Sequence, residues 1–160
     1  MQIKVKFEYA TLLSYDEIHE NEMYIDNYDG RDWWSRTVFD QDPDKIFVYS
    51  HNDCYRNGLY SPFENIEHIR PALKIPHSQL SNFKLGKVVI INDKRYVVLK
   101  NYLLANFSLG KYQFIEYDYK ADPLPPPPKN VNYNSSYVKS VVDSWFNANF
   151  QDEVEVFIKE

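Results

Sequence analysis

The chain is short of two residue types: one cysteine, Cys54, and four glycines among 160 residues. A lone cysteine excludes an internal disulfide and fits a reducing compartment. Four glycines leave little room for loops that cradle phosphates, and no G-x-S-x-G, P-loop or G-x-G-x-x-G motif is present. Long apolar runs are missing too. No stretch approaches the roughly 18 residues of a membrane span, and MQIKVKFEYA alternates apolar with charged residues, unlike a signal peptide. The expectation is a cytoplasmic protein with no membrane partner.

Metal-ligand patterns are equally scarce. His19, His51, His68 and His77 are scattered, and His51-x-x-Cys54 lacks the second pair that a zinc site uses. The acidic segments DNYDGRD and DQDPDK do not follow EF-hand spacing and read as solvated turns. The expectation is no metal, no cofactor and no catalytic residue. Cys54 and His51 are loop neighbours rather than a nucleophile and its base.

What the chain has is aromatic residues and acid. Apolar residues make up 44 % and aromatics 17 %, including 14 Tyr and 10 Phe, a mixture that favours strands. The net charge of −5 is uneven. Residues 1–75 carry 8 Lys/Arg against 14 Asp/Glu, and residues 76–160 carry 10 against 9. An acidic first half repels phosphate backbones, so direct nucleic-acid binding is not expected, whereas a basic groove on another protein would suit it.

The pattern along the chain is α+β within a single domain of two halves, 1–75 and 84–160. Ile3, Val5 and Phe7 alternate with charged residues as a half-buried strand. Ser14 and Glu17 form a capping-box signature for a short helix over 14–22. WWSRTVF and KIFVYS read as strands, and EHIRPALKI (67–75) as one further strand with Pro71 at an edge or bulge. KVVIINDKRYVVLKN is a hairpin around Asn92-Asp93-Lys94, and LLANF and KYQFIEYDY supply shorter strands. ADPLPPPPK (121–129), with five prolines, reads as an extended spacer. The main helix spans 135–149, with Val138, Val141, Val142, Trp145 and Phe146 on one face. EVEVFIK (153–159) alternates as a last strand.

LLSYDEI (12–18), DWWSRT (32–37) and HIRPALKI (68–75) resemble the L-L-S-x-E-E, W-W-L-R-S and V-R-P-A-L series of a family in low-GC bacteria, their phages and prophages. KLGKVVIINDKRYVVL (84–99), LLAN (103–106) and YNSSYVKSVVDSWFNANF (133–150) are similar to its remaining elements. The R-P-A-L half leads here, as in a compact phage subset that looks circularly permuted. The resemblance implies a fold similar to C-type lectins and to the formylglycine-generating enzymes, with twisted antiparallel sheets and one variable loop face. It implies no established activity. One cysteine cannot supply the cysteine pair of a formylglycine-generating site. The sequence departs from the family pattern in Ser35, in VYSHND (48–53) and in the proline run at 123–128.

Successive strand side chains point to opposite faces, so Trp33 and Trp34 cannot share one platform. Trp34, Arg36, Arg70 and Trp145 are read as structural, with Arg36 on the Trp34 face, stacking there and pairing with a carboxylate. Trp33 is read as partly exposed. Together with Tyr49, His51, Asn52, Tyr55, Arg56, Tyr60 and Phe63 it makes the candidate binding set. The function expected is a non-catalytic interaction protein, phage-encoded, that binds and inhibits a host bacterial protein, such as a nucleic-acid-binding defence protein. The alternatives are a small-molecule or glycan-binding module using the 49–63 loop face, and a virion structural component forming homo-oligomers.

Overall fold

The computed structural model describes residues 1–26, 33–38, 46–49, 59–60, 66–109, 111–113 and 138–159. Twelve strands and two α-helices lie among them: β1 (Gln2–Val5), β2 (Ala10–Thr11), α1 (Tyr15–Glu20), β3 (Trp33–Val38), β4 (Ile46–Tyr49), β5 (Leu59–Tyr60), β6 (Ile66–His68), β7 (Ala72–Lys74), β8 (Val88–Ile91), β9 (Lys94–Leu99), β10 (Tyr102–Ala105), β11 (Lys111–Gln113), α2 (Val138–Asn149) and β12 (Val154–Ile158). Short 3-10 turns follow α1 and β7.

Seven strands form an antiparallel sheet in the order β1-β12-β8-β9-β10-β7-β2. Its edge strands, β1 and β2, are joined by only residues 6–9. Four intervening residues span at most about 18 Å. The edges of a flat seven-stranded sheet would stand about 29 Å apart. The sheet is therefore forced to curl towards a half-barrel. The other five strands form a second sheet, β11-β6-β3-β4-β5, in which β3 and β6 run parallel. The expectation of antiparallel sheets is corrected at that one pair. Two strands and their connections separate β3 from β6, which is enough chain for a parallel return.

Strand alternation sorts the apolar residues onto the two faces of the curled sheet. On one face Val5, Leu73, Ile75, Val89, Ile91, Tyr96, Val98, Leu103, Ala105 and Val156 are buried together with Trp34, Val142 and Phe150. α2 covers this core with an aromatic cluster. Phe150 meets Phe7 edge-on at 5.8 Å and Trp145 at 5.2 Å, and Trp145 reaches Phe107 at 6.0 Å. The opposite face holds a second core of Ala72, Val97, Leu99, Tyr102 and Leu104 against Leu13, Ile18 and Trp33. β9 and β10 thus run between two cores, and β10 is buried along its whole length.

Residues 67–75, read above as one strand, divide between the two sheets. β6 ends at His68 in the second sheet and β7 begins at Ala72 in the first. Proline has no N–H for a ladder and holds its predecessor extended, which places the break at Arg70-Pro71. β10 and β11 cross between the sheets beside them. The Ala105 N–H donates to Pro71 C=O and the Leu109 N–H to Ile69 C=O, both at 2.9 Å.

Arg70 sits at this junction with no exposed surface. Its Nε donates to Ala105 C=O, its Nη1 to Asp26 C=O at 3.0 Å, and its Nη2 to the Asp26 carboxylate. The guanidinium also lies 5.4 Å from the centre of the Trp33 ring. A buried cation costs several kcal/mol unless it is paired and hydrogen-bonded. Here one carboxylate and two carbonyls meet it.

Candidate functional site

α1 begins where Ser14 accepts a hydrogen bond from the Glu17 N–H and Glu17 Oε2 accepts one from the Ser14 N–H, both at 3.1 Å. This is the capping box that the sequence signature describes. Ile18 is buried in the second core, which fixes the inward side of the helix. Asn21, 2 % exposed, closes the other end. Its Nδ2 donates to Glu17 C=O at 2.7 Å, and its Oδ1 accepts from the Lys100 N–H at 2.8 Å. The helix is thereby tied to the β9–β10 turn.

β3 holds the same helix from its side. The Arg36 N–H donates to Leu13 C=O at 2.9 Å, and the Tyr15 N–H to Thr37 Oγ1 at 2.9 Å. The Arg36 side chain grips the Glu17 carboxylate with both terminal nitrogens, at 2.8 and 2.6 Å, and Leu12 C=O at 2.7 Å. The Tyr102 hydroxyl adds a donor to Glu17 Oε1 at 3.2 Å. Burial pushes the Glu17 carboxyl up, but hydrogen bonds from Arg36 and Ser14, with the Arg36 charge, outweigh it and hold the group below its ordinary value. The bond to Glu17 raises the Arg36 guanidinium against the effect of burial. Burial, and then the charge of Glu17, pushes Tyr102 up to about 12.

With Ile18 and Glu17 engaged inward, the outward side of α1 and the turn after it is acidic. Asp16, Glu20 and Glu22 are exposed, and beside them Met23 is 82 % exposed. Asp16 and Glu20 make no ion pair among the described residues, and Glu22 meets only His19, at 3.7 Å. An acidic ridge with one apolar tip, paired among the described residues only between Glu22 and His19, on a helix locked at both ends, is arranged to meet a cationic surface. Among the described residues, no group of three His, Cys, Asp or Glu side chains converges for a metal, and no helix is long and apolar enough to cross a membrane.

Of the expected binding set, Trp33 and Tyr49 pair across β3 and β4, and Tyr60 lies on the neighbouring β5. Trp33 is 1 % exposed, which takes it off the surface, because the outer face of the curled sheet carries a core of its own. Tyr49 lies in β4 and Tyr60 in β5, and their side chains are not described. His51, Asn52, Tyr55, Arg56 and Phe63 lie outside the described residues, as does the proline-rich segment 121–129. Trp34 is buried in the first core and Trp145 packs against it. Among the described residues, the arginine over an indole is Arg70, on Trp33. Sequence reasoning missed the convergence of Arg36 and Tyr102 on Glu17. Those partners are 19 and 85 residues away, and no local spacing signals them.

No protein-family model, curated protein or solved structure matches this chain.

Proposed function

We propose that the protein is a non-catalytic interaction protein with a C-type-lectin-like fold, and that it binds a basic surface on another protein through the acidic face of α1. The observation that carries this reading is the ridge of Asp16, Glu20 and Glu22 around exposed Met23, held rigid from beneath by Glu17, Arg36 and Asn21. Rigid charge of one sign speeds encounter and selects an oppositely charged partner. The motif resemblance supports a phage setting, in which the partner is a host bacterial protein and the outcome is its inhibition. A nucleic-acid-binding defence protein has the complementary charge.

The test uses tagged full-length chain in bacterial lysate at low and high salt, with the captured protein identified, purified and titrated directly. The variant D16K/E20K/E22K is expected to weaken that binding at least about tenfold while its thermal unfolding stays near that of the parent. Equal affinity of parent and variant, or no captured protein at low salt, would refute the reading.

A further inference from the structure

Away from α1, a pocket of about 420 Å³ opens beside the terminal strands, lined by Met1, Asn82, Lys84, Lys87, Ile158 and Lys159. Its volume falls in the range of small-molecule sites. Its charge is contrary to that of the molecule. The chain carries −5 overall, yet among the described residues three lysines and no carboxylate line this pocket. None of the three has an ion-pair partner among the described residues.

Backbone geometry holds the lysines together. Residues 84–87 form a turn closed by the Lys87 N–H on Lys84 C=O at 3.1 Å, with Gly86 at a φ of 79°. That closure keeps the Cα atoms of Lys84 and Lys87 within about 7 Å of each other. The Lys159 N–H donates to Val88 C=O at 3.4 Å, which fixes the third lysine next to Lys87. The wall is completed where Met1 and Ile158 exchange backbone hydrogen bonds at 3.2 and 2.8 Å. The three ammonium groups, carried on neighbouring backbone positions, can converge on one bound anion, which offsets their mutual repulsion. Met1, Ile158 and the lysine stems give the same pocket apolar walls.

We propose that this pocket binds a small phosphorylated molecule with an apolar body. Lys84, Lys87 and Lys159 hold its phosphate as point charges, and Met1 and Ile158 pack on its body. This site is independent of the interaction face on α1.

Calorimetric titration of the full chain with phenyl phosphate, inorganic phosphate and phenol tests it. Phenyl phosphate is expected to bind saturably, with each fragment at least about tenfold weaker and with affinity falling as salt rises. The variants K84Q/K87Q and K159Q should each weaken phenyl phosphate about tenfold or more. The lysines bury no core surface, so the thermal midpoints of both variants should equal or exceed that of the parent, which separates lost binding from lost folding. The proposal is overturned by an absence of saturation at about 10 mM phenyl phosphate. It is equally overturned by unchanged affinity in both variants, or by phenol or inorganic phosphate binding as tightly as phenyl phosphate.

Discussion

Glu17 accepts from four donors: the Ser14 N–H, both terminal nitrogens of Arg36 and the Tyr102 hydroxyl. Its lowered pKa means that the folded state favours the carboxylate, so this stabilisation is complete above the unfolded value of about 4.3. It is lost as pH falls through the folded value. Glu17→Gln keeps a side chain able to complete the capping box but removes the charge. It should cost about 1–2 kcal/mol at pH 7 in urea unfolding, discounted for the partly exposed Arg36. The gap between variant and parent should close in acid, and a gap unchanged at about pH 2 would contradict the assignment. Tyr102 works in the other direction. Its raised pKa gives a contribution that is full below pH about 10 and is lost as pH rises towards about 12. At this scale the sequence was half legible. Alternation placed Trp33 and Trp34 on opposite faces, but the core that hides Trp33 is assembled from α1 and three distant strands.

Elements closed by local hydrogen bonds or marked by strict alternation could be read directly, and breaks set by distant partners could not. The β8–β9 hairpin turns on Asn92 and Asp93, both with positive φ, and Ile91 pairs with Lys94. The capping box was equally plain, and β12 was legible from its own alternation although its partners β1 and β8 are distant. The splitting of 67–75 was not, because which sheet takes each half depends on where β10 and β11 lie. The turn at Gly86 was also hidden. Here the Gly86 N–H donates to Val98 C=O and the Val98 N–H to Lys87 C=O, so two residues face one in a bulge led by a left-handed glycine. A Cβ on Gly86 would stand 3.1 Å from Tyr24 Cδ1. Gly86→Ala should therefore destabilise by about 1–2 kcal/mol, through backbone strain and displacement of Tyr24. In a scanning melt the midpoint should fall by about 3–6 °C, and an unchanged midpoint would argue against that backbone geometry.

For the molecule as a whole, both sheets draw strands from both halves of the chain. β1, β2 and β7 join β8–β10 and β12 in the first, and β11 joins β3–β6 in the second. β12 stands between β1 and β8, so it closes the sheet although it comes late in the sequence. A chain ending at residue 153 would strip β1 of its neighbour and remove Val156 from the first core, uncovering the residues packed around it. Such a chain should lose cooperative unfolding in a circular-dichroism urea titration. A sharp transition near the parent midpoint would show that β12 is dispensable.

The pairing of the first and last strands also sets how the molecule responds to tension. Met1 and Ile158 are hydrogen-bonded neighbours at the same end of an antiparallel ladder. A pull on residues 1 and 159 therefore loads that ladder one rung at a time, and the strands peel like a zipper instead of sliding against their full set of bonds. The β1–β12 ladder is therefore soft to a pull applied between residues 1 and 159, however well the two cores resist heat or denaturant.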